Sequence, residues 1–156
     1  MNAITFIKKH GIEKAREVVD GAPSFPVFGY CALTGSYIFK RKYTTAYYHN
    51  ETNSWSEDYA IELILLDDLK RLVESVDIID RWKGIQNCKD IISAGTSTRQ
   101  PPVQSFASRM IKAIADYEAI YKCSYCNGFG EVGCQFEGTF TCPDCKGDRY
   151  VGGEHV

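Results

Sequence analysis

The sequence predicts an α+β fold: an N-terminal helical pair, a small antiparallel sheet, two main amphipathic helices and a C-terminal zinc ribbon or knuckle module. Three observations carry this. Apolar residues recur at helical spacing in three separate stretches. Between the first and second of these lies a run rich in Tyr, Phe, Thr and Ile, punctuated by turn residues. Five of the seven cysteines crowd between residues 123 and 145.

The helical pair is expected over residues 3–20. Phe6, Ile7, Ile12, Ala15, Val18 and Val19 form an apolar stripe, interrupted at Gly11 and closed by Asp20-Gly21-Ala22-Pro23. The sheet is expected over 27–65, as three or four strands near 27–32, 37–42, 45–49 and 61–65. Thr34-Gly35 and Asn50–Asn53 supply the turns.

The clearest helix runs from Leu66 to Trp82. Its stripe is Leu66, Leu69, Leu72, Val73, Val76, Ile79 and Trp82. Asp67 and Asp68 fall in its first turn, where the helix dipole favours negative charge. A shorter helix is read at 85–92 and a polar loop at 95–102. A second strong helix, 104–121, places Phe106, Met110, Ile114, Tyr117 and Tyr121 on one face. It runs directly into the cysteines. The domains read as 1–121, a cysteine module at 122–150 and a tail at 151–156.

The module contains Cys123-Ser-Tyr-Cys126-Asn-Gly-Phe-Gly130 and Cys142-Pro-Asp-Cys145-Lys-Gly-Asp-Arg149. Two Cys-x-x-Cys pairs offer four soft thiolates, the number that tetrahedral Zn²⁺ takes in structural sites. We therefore assign one structural Zn²⁺ to Cys123, Cys126, Cys142 and Cys145. Gly128 and Gly147 stand two residues after the second cysteine of each pair. There a positive φ would direct backbone N–H groups toward the sulfurs. The competing reading of Cys142-Pro-Asp-Cys145 is a thiol redox pair, which ordinarily caps a helix; no amphipathic pattern follows it here. Cys134 reads as a spare cysteine and His155 as a solvated tail residue.

This module resembles the cysteine-rich region of DnaJ-type co-chaperones, whose repeat is Cys-x-x-Cys-x-Gly-x-Gly. Residues 123–130 match the repeat throughout; residues 142–149 match except at Arg149, where the second glycine would stand. The resemblance implies a zinc-held fold. Those proteins carry four repeats and two zinc ions, whereas this chain carries two repeats, enough for one. No His-Pro-Asp tripeptide is present. Elsewhere, Ile12–Pro23, Leu66–Ser75 and Lys112–Asp116 are similar to segments of accessory early-region proteins from temperate, lambda-like enterobacterial phages.

Charge separates two candidate surfaces. Through residue 50, seven Lys and Arg face three acidic residues, a net +4. Lys40, Arg41, Lys42 and Tyr43 sit there among further tyrosines, a pattern suited to single-stranded nucleic acid or to a sheet with lysines in water. From residue 122 onward, three cations face five carboxylates, a net −2. Four thiolates with Zn²⁺ add about −2 more, which opposes phosphate binding. Tyr125, Phe129 and Phe136 are instead candidate protein contacts.

No phosphate loop, zinc-protease motif or nucleophile elbow occurs, and a metal held by four sulfurs leaves no position for a reacting water. His10, His49 and the Asp67–Asp68 pair have bland explanations. The expectation is a non-enzymatic phage accessory protein that binds and modulates a host or phage protein. The alternative is a nucleic-acid-binding regulator of transcription. The longest apolar run, 61–66, is broken by Glu62 and is too short to span a bilayer. With no secretory leader pattern, the expected location is the cytoplasm of a bacterial host.

Overall fold

The computed structural model describes residues 1–24, 26–40, 47–49, 54–56, 63–97, 104–134 and 138–152. The fold is α+β, and its elements divide into two compact units, Met1–Glu74 and Ser75–Val156.

In the first unit, α1 (Ala3–His10) and α2 (Ile12–Asp20) form the expected pair. The Asn2 side chain accepts the Thr5 amide at 2.7 Å and so caps α1. Gly11 takes φ +84°, a value that separates the two helices at little steric cost. Phe6 and Ile7 from α1, with Ala15 and Val18 from α2, are buried. Ile12 and Val19, at the edges of the predicted stripe, are only half-buried.

Among the described residues the sheet has five antiparallel strands: β1 (Gly29–Cys31), β2 (Ser36–Lys40), β3 (Tyr47–His49), β4 (Ser54–Ser56) and β5 (Leu63–Leu65), in the order β4-β3-β2-β1-β5. Ile38 on β2 and Ile64 on β5 are completely buried. Tyr37 donates its hydroxyl to the Val18 carbonyl at 2.7 Å, joining sheet to helical pair. Gly29 is obligatory at its place on β1. A Cβ there would lie 2.6 Å from both the Ile64 carbonyl oxygen and Leu63 Cδ1.

Helix α3 (Leu66–Arg81) begins in the first unit and ends in the second. Its stripe Leu66, Leu69, Leu72, Val73, Val76 and Ile79 is buried as the periodicity requires. Trp82 departs from it. Lys83 and Gly84 take φ of +59° and +101°, and the Gly84 amide closes the helix on the Ile79 carbonyl. Trp82 therefore lies past the last helical residue and stays exposed.

The second unit continues with α4 (Ile85–Ser97), α5 (Gln104–Tyr121) and a hairpin of β6 (Glu131–Cys134) and β7 (Gly138–Thr141). Helix α4 extends through Gly95-Thr96-Ser97, where sequence had placed a loop. On α5 the buried face is Met110, Ala113, Tyr117, Ile120 and Tyr121, while Phe106 and Ile111 are exposed. Ser75 donates to the Asp116 carboxylate at 2.8 Å. Among the described residues, no helix is long and apolar enough to cross a membrane.

Candidate metal centre

The cysteines reach one point because two tight turns carry them there. In the first, the Gly128 amide donates to the Cys123 carbonyl at 3.1 Å and Phe129 to Cys126 at 3.0 Å. In the second, Lys146 donates to Cys142 at 2.8 Å and Asp148 to Cys145 at 2.9 Å. Three residues in each turn have positive φ, and they correspond by position: Asn127, Gly128 and Gly130 at +52°, +77° and +79°, then Lys146, Gly147 and Arg149 at +51°, +94° and +70°.

The turns also clasp one another reciprocally. The Cys142 amide donates to the Gly130 carbonyl, and the Cys123 amide donates to the Arg149 carbonyl, each at 2.9 Å. Each turn's last motif residue thus holds the other turn's first cysteine. The β6–β7 hairpin links the two, in the register Glu131 to Thr141 and Val132 to Phe140. Val132 packs against the cysteines from the hairpin side.

All four cysteines are buried, and their Sγ atoms lie within 4.8 Å of one another. Cys123 and Cys142 Sγ are 3.8 Å apart, and Cys126 and Cys145 Sγ are 3.5 Å apart. A tetrahedron with metal–thiolate bonds of about 2.3 Å has edges of about 3.8 Å. The donor set therefore fits a single four-coordinate ion, and a further ligand would have to displace a sulfur.

The amides bias the thiols unequally. Burial raises the Cys126 thiol, but the Gly130 amide at 3.3 Å and the neighbouring thiols outweigh it and bring it down to about 6. Burial and the hydrogen bond with Cys126 push Cys145 up to about 11, despite amide contacts from Gly147 and Arg149. Gly147 thus acts on a sulfur as its position suggested. In the first turn the donor to sulfur is Gly130, and Gly128 bonds a carbonyl instead. Both turns supply thiolate-stabilising dipoles, which metal ligation requires.

The module is joined to α5 without a linker. Lys122 and Tyr150 form a bridge, and the Val151 amide donates to the Tyr121 carbonyl at 2.8 Å. Lys89 on α4 donates to Glu118 on α5 at 2.6 Å and to the Tyr150 hydroxyl at 2.9 Å. The Tyr150 ring meets Tyr117 edge-on, with centroids 6.0 Å apart. Sequence reading missed this cluster. Its one visible signal was an aromatic residue directly after the second motif.

Of the candidate protein contacts, Tyr125 is 56% and Phe129 74% exposed. Phe140, which the sequence reading did not single out, is 51% exposed. Phe136 lies outside the described residues, as do Arg41, Lys42, Tyr43, His155 and the Lys40 side chain. Cys31 and Cys88 are buried free thiols and do not belong to the four-cysteine group.

No protein-family model matches the chain, and no curated protein or solved structure matches it either.

Proposed function

We propose that the chain is a non-enzymatic zinc protein that binds and modulates another protein, an accessory product of the phage type suggested by Ile12–Pro23, Leu66–Ser75 and Lys112–Asp116. The observation that carries the zinc reading is the four-sulfur cluster, with its 3.5 and 3.8 Å edges. Four thiolates in tetrahedral array select Zn²⁺ or an iron site, and a closed all-sulfur shell suits structure more than catalysis. Zinc then supplies folding free energy to a hairpin whose β7 strand is exposed throughout.

Protein binding is supported by the exposed aromatics of the first turn. Tyr125 and Phe129 lie on either side of Cys126 in the turn, so a bound ion would fix the backbone that presents both exposed rings. The module's negative charge turns away phosphate and favours a partner with basic character.

The test is capture from a bacterial host lysate. Zinc-loaded wild-type protein should retain a specific protein partner that Tyr125→Ser/Phe129→Ser and Cys142→Ser proteins lose. Recovery of nucleic acid in place of protein would replace this reading with the regulator; retention of nothing specific would remove it.

A further inference from the structure

A groove of about 300 Å³ opens in the second unit between the end of α3 and the start of α5. It is lined by Ile78, Arg81, Trp82, Phe106, Arg109 and Met110. Trp82 and Phe106 meet edge-on, with centroids 5.6 Å apart and planes at 65°. Their rings form a corner, and each residue is more than a third exposed. Helix α3 does not bury Trp82, because Lys83 and Gly84 turn the chain immediately after it. The Asn87 side chain then holds the Trp82 carbonyl at 2.8 Å.

A corner of two rings steeply inclined to each other accepts a third ring in stacked and edge-on contact at once. Met110, which is buried, and Ile78 provide the apolar floor. Among the described residues, both charged residues lining the groove are arginines. Each guanidinium has five donors in a planar fork, so a pairing within the protein leaves donors for an anion. The volume is at the lower limit for small-molecule sites, which run from about 300 to 1,000 Å³. Two rings offer far less than the roughly 800 Å² that each partner gives to a standard protein interface.

From these observations we infer that the groove is a binding site for a small aromatic anion, with the ring in the Trp82–Phe106 corner and a phosphate or carboxylate on Arg81 and Arg109. The inference is independent of the metal and of any protein partner.

The test uses 1-naphthyl phosphate as the anionic aromatic, with 1-naphthol and inorganic phosphate as controls for ring and charge. The readout is the indole N–H resonance of Trp82 in the full-length zinc-loaded protein. The chain has two tryptophans, and a Trp55→Phe protein assigns the signals. The phosphate ester should shift Trp82 saturably at one per chain. Naphthol and inorganic phosphate should each bind at least about tenfold more weakly, as loss of a charge-assisted bidentate contact or of the ring contact requires. Arg81→Gln/Arg109→Gln should show the same loss for the ester, with an unchanged thermal melt. Should the double variant not fold, Arg109→Gln alone serves. Equal binding of naphthol, an unmoved Trp82, or no effect of the arginine change would overturn the inference. So would a Trp82 that responds to an acidic peptide and not to the ester, since the groove would then take a protein segment.

Discussion

The ammonium of Lys89 donates to the phenol oxygen of Tyr150 at 2.9 Å, and so pins the residue that follows the second cysteine motif to helix α4. The same ammonium reaches Glu118 on α5 at 2.6 Å. One cation therefore joins three segments of the second unit, and the cysteine module is held as part of that unit.

Removing this cation should loosen the module. Lys89→Met is expected to cost about 1 kcal/mol, a charged hydrogen-bond network discounted for its partial exposure. That corresponds to a fall in melting temperature of about 2–4 °C for a chain of this size. Tyr150→Phe should lose less, because its ring contact with Tyr117 remains. Thermal denaturation followed by circular dichroism reads both. An unchanged melt for Lys89→Met would show that the network is ornamental.

The pair also fixes a pH dependence. Burial lowers the Lys89 pKa, but hydrogen bonds to Glu118 and Tyr150 outweigh it, and the net direction is upward from 10.5. A raised folded-state pKa means that the folded chain holds the proton more tightly than the unfolded chain. The stabilisation is complete below about pH 10.5 and fades as pH rises through the folded value. The difference in melting temperature between wild type and Lys89→Met should therefore be constant from neutral to mildly alkaline pH and shrink only in strong alkali.

Gly130 and Arg149 occupy corresponding positions but are not interchangeable. A Cβ on Gly130 would stand 2.7 Å from the Gly147 carbonyl oxygen and 3.3 Å from Arg149 Cγ. Gly130→Ala, combining that clash with a left-handed φ, should cost about 2–4 kcal/mol. Arg149→Gly removes left-handed strain and adds unfolded-state entropy, so its net effect should stay within about 1 kcal/mol. Urea denaturation of the two zinc-loaded variants checks the contrast; equal losses would contradict it.

Gly29 makes the parallel case in the first unit. Gly29→Ala forces β1 away from β5 and should cost about 1–3 kcal/mol. Its metal content should match wild type, because the four clustered cysteines lie in the other unit. Denaturation and elemental analysis of one preparation test both statements.

Much of this arrangement was legible in the residues. The stripe of α3, three of the five predicted positions on α5 (Phe106 is exposed and Ile114 half-buried) and the spacing of the cysteines are strong periodic or covalent signals, and the turns at Gly11 and Thr34-Gly35 follow from backbone preference. The misses have physical causes. Strand β4 is three residues, Ser54-Trp55-Ser56, too short to show alternation. Gly95-Thr96-Ser97 has weak helix propensity, yet α4 continues through it. Trp82 fits the α3 stripe by spacing, but the positive φ of Lys83 ends the helix one residue before it. The reciprocal clasp of the two turns depends on long-range hydrogen bonds, which no local pattern encodes. It also accounts for a glycine in one motif where the other has arginine: the close approach to the Gly147 carbonyl excludes a side chain at Gly130.

We propose that Cys123, Cys126, Cys142 and Cys145 together hold one zinc ion. The most direct measurement is elemental analysis of protein purified under reducing, chelator-free conditions, alongside Cys142→Ser. The expected result is one zinc per wild-type chain and less than a stoichiometric amount in the variant. Wild-type protein without zinc, or a variant that keeps its full complement, would contradict it.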